Sequence, residues 1–560
     1  MSTVSGAPPG VGDKSAEGAG SEKPTIFLRK ASGVAKAFSP FDAYAYNVLA
    51  NNGILLGAIA FLTAAWAMPG GNMALAVVIT AVLTAFMAVV YVFLQASFPR
   101  TGGDYIFQSR ILGGGPGFVL GFSTYVVATI MWAGTLGWSM ANIVVSPGLS
   151  MLGAYTNNST LQSIATWSAG KWGMFVWGAV LLVWATVITT VSFKTYARVQ
   201  RVFFWLGSAA AVAMLIVLAF SNRLDYAAHF NSIMATKFGV KDAVNSTITA
   251  AKSAGYNPAH SFSFLATLGM IPVMWFFTSS TVWSSGQAGE IRDRGSVRSK
   301  MWQIVGALAT TGTVMAVFAY LVVDRAGGQL ISSSTWLYYN APDSYKLPVS
   351  PFFGFFVALA HSSSWLVILV MVAFGAWFLM ALPNNQVYGS RVLLAMAIDR
   401  AVPAWLGKIN NRSHTPLNAV LVISGGGLVV NALYSFTGWF WKLTLSIGLL
   451  MLLTYVTSCL AVLLWPRLHP ESFRASPASR YRIAGIPVAA VCAVIFICVG
   501  LFIIEQYLTV KALGVASSVG YAFVGGTLAL GVILYFVFKS YRRRKESLDL
   551  NLVYKEIPPE

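Results

Sequence analysis

The chain has 560 residues, of which 56% are hydrophobic and only 10% charged, and its mean hydropathy is +0.68. A soluble multidomain protein of this size cannot hide so much apolar surface from water, so these values exclude one and require an integral membrane protein. The formal net charge of +19 does not point to nucleic acid, because no seam between apolar runs is long enough to fold as a basic domain.

Residues 1–37 are rich in Ala, Gly, Ser and Pro, contain no apolar run, and predict a flexible tail with no cleavable leader. Twelve stretches of about 20 apolar residues follow, beginning near Tyr44, Asn72, Pro116, Trp172, Val202, Phe262, Trp302, Phe352, Leu417, Trp439, Ile486 and Ser517. With the amino terminus inside, 28 of the 37 Lys and Arg residues fall on the inner side, the asymmetry that orients membrane proteins. Both termini are therefore expected in the cytoplasm, at a prokaryotic plasma membrane. Residues 38–467 form a core of ten spans, 468–540 add spans 11 and 12, and 541–560 form a basic tail. Cys459, Cys492 and Cys498 lie in apolar spans and read as packing residues, not as disulfide or metal partners.

Two spans are interrupted near their midpoints. Tyr44 to Trp66 carries Asn51, Asn52 and Gly53 there, and Phe262 to Gln287 carries Thr278, Ser279, Ser280 and Thr281. Unwound backbone at membrane depth is tolerated only where it lines a cavity, and paired interruptions in two halves mark the substrate site of a secondary transporter. The amides around Asn52, Gly53 and Ile54 would offer a helix N-terminal dipole to a carboxylate. The carbonyls of Leu49 and Ala50 would accept from an ammonium, joined across the cavity by those of Phe276, Phe277 and Thr278, with Ser279 and Ser280 opening the second half of span 6. Each such contact contributes about 0.3 to 1 kcal/mol, so several must converge. Side-chain selectivity is expected from Met131, Trp132, Thr135, Trp275, Phe276 and Trp283. These pocket spans hold no deep Asp or Glu to pair with a cationic side chain, which favours a substrate whose side chain is neutral.

After span 2 comes "FPRTGGDYIFQSRILGGGPGF", with Gly102 and Gly103 just before a third helix. The run from Gly113 to Gly117 lacks the Lys-Ser/Thr of a phosphate loop. After span 8, "SRVLLAMAIDRAVPAWLGKINNRSHTPLNAVLV" runs from Ser390 to Val422, and "GQAGEIRD" closes span 6. On these strings the chain resembles the amino acid-polyamine-organocation superfamily of permeases, whose members show "P-x-x-G-G-x-Y" after the second helix and "S-R-x-x-x-A-M" after the eighth. The resemblance covers Phe38 to Arg467. It implies an all-α integral membrane protein of 12 transmembrane helices, with a leucine-transporter-like 5+5 inverted repeat plus two C-terminal helices. It also implies alternating access by rocking of helices 1, 2, 6 and 7, an amino acid substrate, and no cofactor.

Asp42 at the mouth of span 1 and Glu290, at the place of the family's acid closing span 6, are the gate or coupling candidates. Sodium-coupled relatives place hydroxyls in the eighth helix, and Val370 to Phe378 has none, so a proton is favoured over sodium. Three seams, Ser146 to Lys171, Ser221 to Ser261 and Asp324 to Ser350, read as long outer loops available to a surface layer or membrane partner. They carry glycosylation triplets at Asn157, Asn158 and Asn245. A membrane enzyme or respiratory subunit is the rival class and would need facing metal or haem ligands. His229, His260, His414 and His469 fall in predicted loops, leaving His361 alone. A cationic amino acid or polyamine carrier and a non-transporting membrane subunit are the remaining alternatives.

Overall fold

The computed structural model describes residues 36–51, 64–293, 295–361 and 363–555. Among them eleven helices are long and apolar enough to cross a membrane. Span 1 enters as Pro40–Asn51. Its predicted continuation, including Asn52, Gly53 and Ile54, lies outside the described residues, as does nearly all of the predicted tail. Spans 2 to 5 are Met73–Ser97, Gly114–Thr156, Lys171–Val191 and Phe193–Phe220, and spans 6 to 8 are Phe264–Gly286, Val297–Ala326 and Ser364–Ile398. Spans 9 to 12 are Leu417–Phe436, Thr444–Leu468, Val488–Thr509 and Ser518–Glu546. The sole sheet among the described residues is a two-residue pairing of Arg482–Ile483 with Ile486–Pro487, between spans 10 and 11.

The outer faces are apolar, as only a lipid environment allows. On span 4, Val176, Val180, Val183, Val187 and Val191 are all exposed at steps of three and four residues, a stripe one helix face wide. Neighbours inside the bundle follow a repeating scheme. Span 1 packs on span 6, span 2 on span 7, span 3 on span 8 and span 4 on span 9, while span 3 touches span 9 as span 8 touches span 4. Exchanging each of spans 1 to 5 with its counterpart five later leaves these pairings unchanged, the signature of an internal repeat.

Local chemistry explains where the long helices deviate. Pro383 sits inside span 8 and supplies no amide to the carbonyl of Leu379. The indole Nε1 of Trp184, from span 4, donates to that oxygen instead at 2.7 Å. Trp184→Phe is expected to strand the carbonyl in an apolar surround and cost about 1 to 3 kcal/mol, read as a lowered melting temperature in detergent.

The three seams predicted as long loops are largely helical. Span 3 continues to Thr156 and is followed by Ser159–Ala169; the second seam folds as Arg223–Phe238 and Ala243–Ser253; the third contains Gly328–Asn340. Asn caps start two of these helices. Asn158 and Asn222 each accept first-turn amides, from Thr160 and Leu161 and from Asp225 respectively. His361 is not alone either. The ring of His229, on the helix Arg223–Phe238, lies 5.6 Å from it, because that helix folds back over the start of span 8.

Candidate functional site

Span 1 and the second half of span 6 are joined by side chains that sequence inspection did not single out. Asn47, fully buried, accepts from the Ser284 amide at 2.8 Å and donates to Ser284 Oγ at 3.0 Å and to the Gln303 carbonyl at 2.8 Å. One amide thus ties span 1 to spans 6 and 7. One turn on, Asn51 Nδ2 donates to Thr311 Oγ1 of span 7 at 3.4 Å, while Asn51 Oδ1 is buried with no partner among the described residues. An orphaned buried acceptor is costly. Ala50 beside it is equally buried.

Span 6 changes helix type where the interruption was expected. It is α-helical over Ile271–Thr278 and 3₁₀ over Ser279–Gly286, so the strand of backbone tightens and does not open into extended chain. A change from i→i−4 to i→i−3 bonding skips one carbonyl. The hydroxyl of Ser279 donates to the Phe276 carbonyl at 3.0 Å, and that of Thr278 to the Trp275 carbonyl at 3.2 Å. Thr278 also bonds Thr84 of span 2 at 3.1 Å. Phe276, Phe277, Thr278, Ser279 and Ser280 are all buried.

The predicted side-chain pocket is only partly assembled around this segment. Trp132 of span 3 stacks on Phe276 with centroids 5.3 Å apart, and Gly448 of span 10 admits the other side of that ring, since a Cβ there would come within 2.9 Å of it. Trp275 and Trp283 both meet Tyr455, the first edge-on at 6.1 Å and the second by an Nε1 hydrogen bond of 2.9 Å. Thr135 turns to Tyr434 Oη at 2.8 Å instead, and Met131 is buried among core residues. A separate cavity of about 280 Å³ flanks span 1 between spans 5 and 7, lined by Phe41, Tyr44, Val48, Phe204, Thr311 and Trp377 among others. None of the predicted pocket residues lines it.

The two gate candidates are both ion-paired at the Pro40 end of the bundle. Asp42 binds Arg201 Nε of span 5 at 2.6 Å and accepts from the Ser39 amide at 2.9 Å. Glu290 and Arg391 form a two-pronged pair at 2.9 and 3.2 Å, both carboxylate and guanidinium essentially sealed from solvent, with the Phe193 ring 4.7 Å from the guanidinium. Further pairs, Arg110 with Asp399 at 2.8 Å and Lys300 with Asp293 at 2.9 Å, lie at the same end. Phe38 is pinned there by its amide on the Glu290 carbonyl and by the Arg292 amide on its own carbonyl.

The loop carrying Gly102 and Gly103 docks against the end of span 6, the Gly102 amide on the Gly286 carbonyl at 3.0 Å. It delivers a residue the sequence reading passed over. Asp104 is fully buried and opens the helix Asp104–Ile111. Its Oδ1 accepts from Tyr91 and from Ser458 Oγ at 2.5 Å; its Oδ2 accepts from Tyr125 and from Tyr388 Oη at 3.2 Å. Burial pushes this carboxyl above the usual carboxylate range, against the pull of the four hydroxyls.

The sequence profile described as "Amino acid permease" matches residues 43–533, from inside span 1 to inside span 12. The chain belongs to the amino acid permease family. Proteins named as uncharacterized transporters from Mycobacterium bovis and from two strains of Mycobacterium tuberculosis are each 26% identical to it over 303 residues. That match covers 50% of this chain and 63% of each relative. The protein is thus a multi-pass membrane protein of that family. Of the permease's buried groups, Asn47 and Asp104 carried a weak sequence signal, a polar residue one turn before a break and an acid inside a glycine motif. Tyr91, Tyr125 and Tyr388 carried none, since tyrosines are common at membrane interfaces. The three glycosylation candidates are engaged locally: Asn157 is a left-handed helix cap, Asn158 caps the next helix, and Asn245 donates to Asp242 at 3.0 Å.

Proposed function

We propose that the protein carries a neutral amino acid across the plasma membrane by alternating access, with the substrate held between Ala50 and Asn51 of span 1 and the segment Phe276–Ser280 of span 6. The observation that carries this reading is the side-by-side burial of two polar mid-span segments, Asn47–Asn51 and Ser279–Ser284, with Asn51 Oδ1 left without a donor among the described residues. A substrate ammonium is the natural donor for that oxygen. The stack of Trp132 on Phe276 supports an apolar side-chain wall, and no acid lies among these residues to select a cation.

The ion pairs of Asp42 and Glu290 support reading this end as an inner gate, and on that reading the Pro40 end and both termini face the cytoplasm. Breaking and remaking such pairs is a two-state device that substrate binding can bias. Purified protein in liposomes tests the proposal: labelled neutral amino acids should enter faster than cationic ones or polyamines, and Trp132→Ala should change the preference among neutral side chains. Uptake at the rate of empty liposomes for every compound, in both orientations, would sink it.

A further inference from the structure

We propose that Asp104 is the proton-binding residue of the transport cycle, its carboxylate taking up and releasing H⁺ as the hydroxyl cage around it opens and closes. This rests on the carrier reading above. The cage is built from four spans: Tyr91 of span 2, Tyr125 of span 3, Tyr388 of span 8 and Ser458 of span 10. Tyr455 and Cys459 of span 10 also face the carboxyl. Among the described residues no cation pairs with Asp104; Arg110, on the same helix, is bound to Asp399. The ionised form therefore depends wholly on neutral donors.

That dependence links the proton to motion. A buried carboxylate without a counter-ion persists only while enough hydroxyls point at it, and losing some of them makes the neutral acid the stable form. Tyr91 stands on span 2, one of the helices expected to rock, and the other three donors stand on spans that stay. The cage is also wired to the substrate segment. Tyr388 Oη lies 3.1 Å from Ser285 Oγ, next to Ser284, which Asn47 holds from span 1. Movement at the seam between spans 1 and 6 thus reaches the acid through one hydroxyl.

Liposomes with imposed gradients test the assignment. Wild type should accumulate its amino acid by up to about tenfold per unit of inward-directed pH gradient. Asp104→Asn should lose that accumulation while still exchanging labelled for unlabelled substrate at a measurable rate, and Asp104→Glu should recover it. Tyr388→Phe removes one donor from the carboxylate, so the pH midpoint of uptake should rise by about one unit, which a purely structural role would not produce. Accumulation by Asp104→Asn at the wild-type level overturns the proposal, as does wild-type uptake that follows a sodium gradient and ignores pH. If Asp104→Asn does not fold, an unmoved midpoint in Tyr388→Phe overturns it. A wild type that exchanges amino acid but ignores pH refutes the proton site alone, whereas one that neither exchanges nor accumulates refutes the carrier reading and the proton site with it.

Discussion

Arg391→Ala should destabilise the folded protein by about 3 to 5 kcal/mol. The pair it breaks is sealed, with the Glu290 side chain 1% exposed and the guanidinium at 0%, bonded at 2.9 and 3.2 Å. Removing the cation strands a carboxylate that water cannot reach, and it also strips the Phe193 face of its guanidinium, 4.7 Å away. In detergent the variant should melt several degrees lower than wild type and lose monodispersity. The double variant Glu290→Gln with Arg391→Met removes both charges and should regain most of the loss, because the penalty comes from the unpaired ion and not from the missing pair. A single variant as stable as wild type would show that Glu290 finds another partner.

Gly103→Ala should abolish most transport while leaving the protein in the membrane. Gly103 has φ +53° and ψ −131°, a backbone region essentially reserved for glycine, with strain of about 1 to 3 kcal/mol for any other residue. A Cβ there would also stand 2.3 Å from Tyr388 Oη and 3.2 Å from Ser285 Oγ, so the ring that holds both Asp104 and the end of span 6 must move. Uptake measured beside Gly115→Ala, at the start of span 3, separates this from a general intolerance of an added methyl at this end of the bundle. At Gly115 the nearest atom to a new Cβ is 3.7 Å away on Tyr535, an ordinary contact, and activity should hold. Equal activity in both variants would remove the loop from the mechanism.

How much of this a reader of the sequence can find depends on how far each interaction reaches along the chain. The spans are local features of hydropathy, and the change of helix type in span 6 coincides with the hydroxyl run Thr278 to Thr281 that flagged it. The prediction of an unwound break there missed that short hydroxyls can bond the preceding carbonyls, as Thr278 and Ser279 do, and keep the chain helical. The outer seams failed for a related reason. Their polarity was read as loop, but Asn caps and apolar residues three and four positions apart make short amphipathic helices from the same composition.

By itself, the amino-acid order determined the membrane class, the permease family and the two polar mid-span segments, because hydropathy, helix period and glycine motifs act within one or two turns of chain. Only the tertiary structure decided that Asp104 meets Tyr388 from 284 residues away and that Glu290 meets Arg391 across 101. In an apolar bundle every buried charge must find its partners through space, and which tyrosine or arginine is chosen depends on how the helices pack, which no short stretch of sequence encodes.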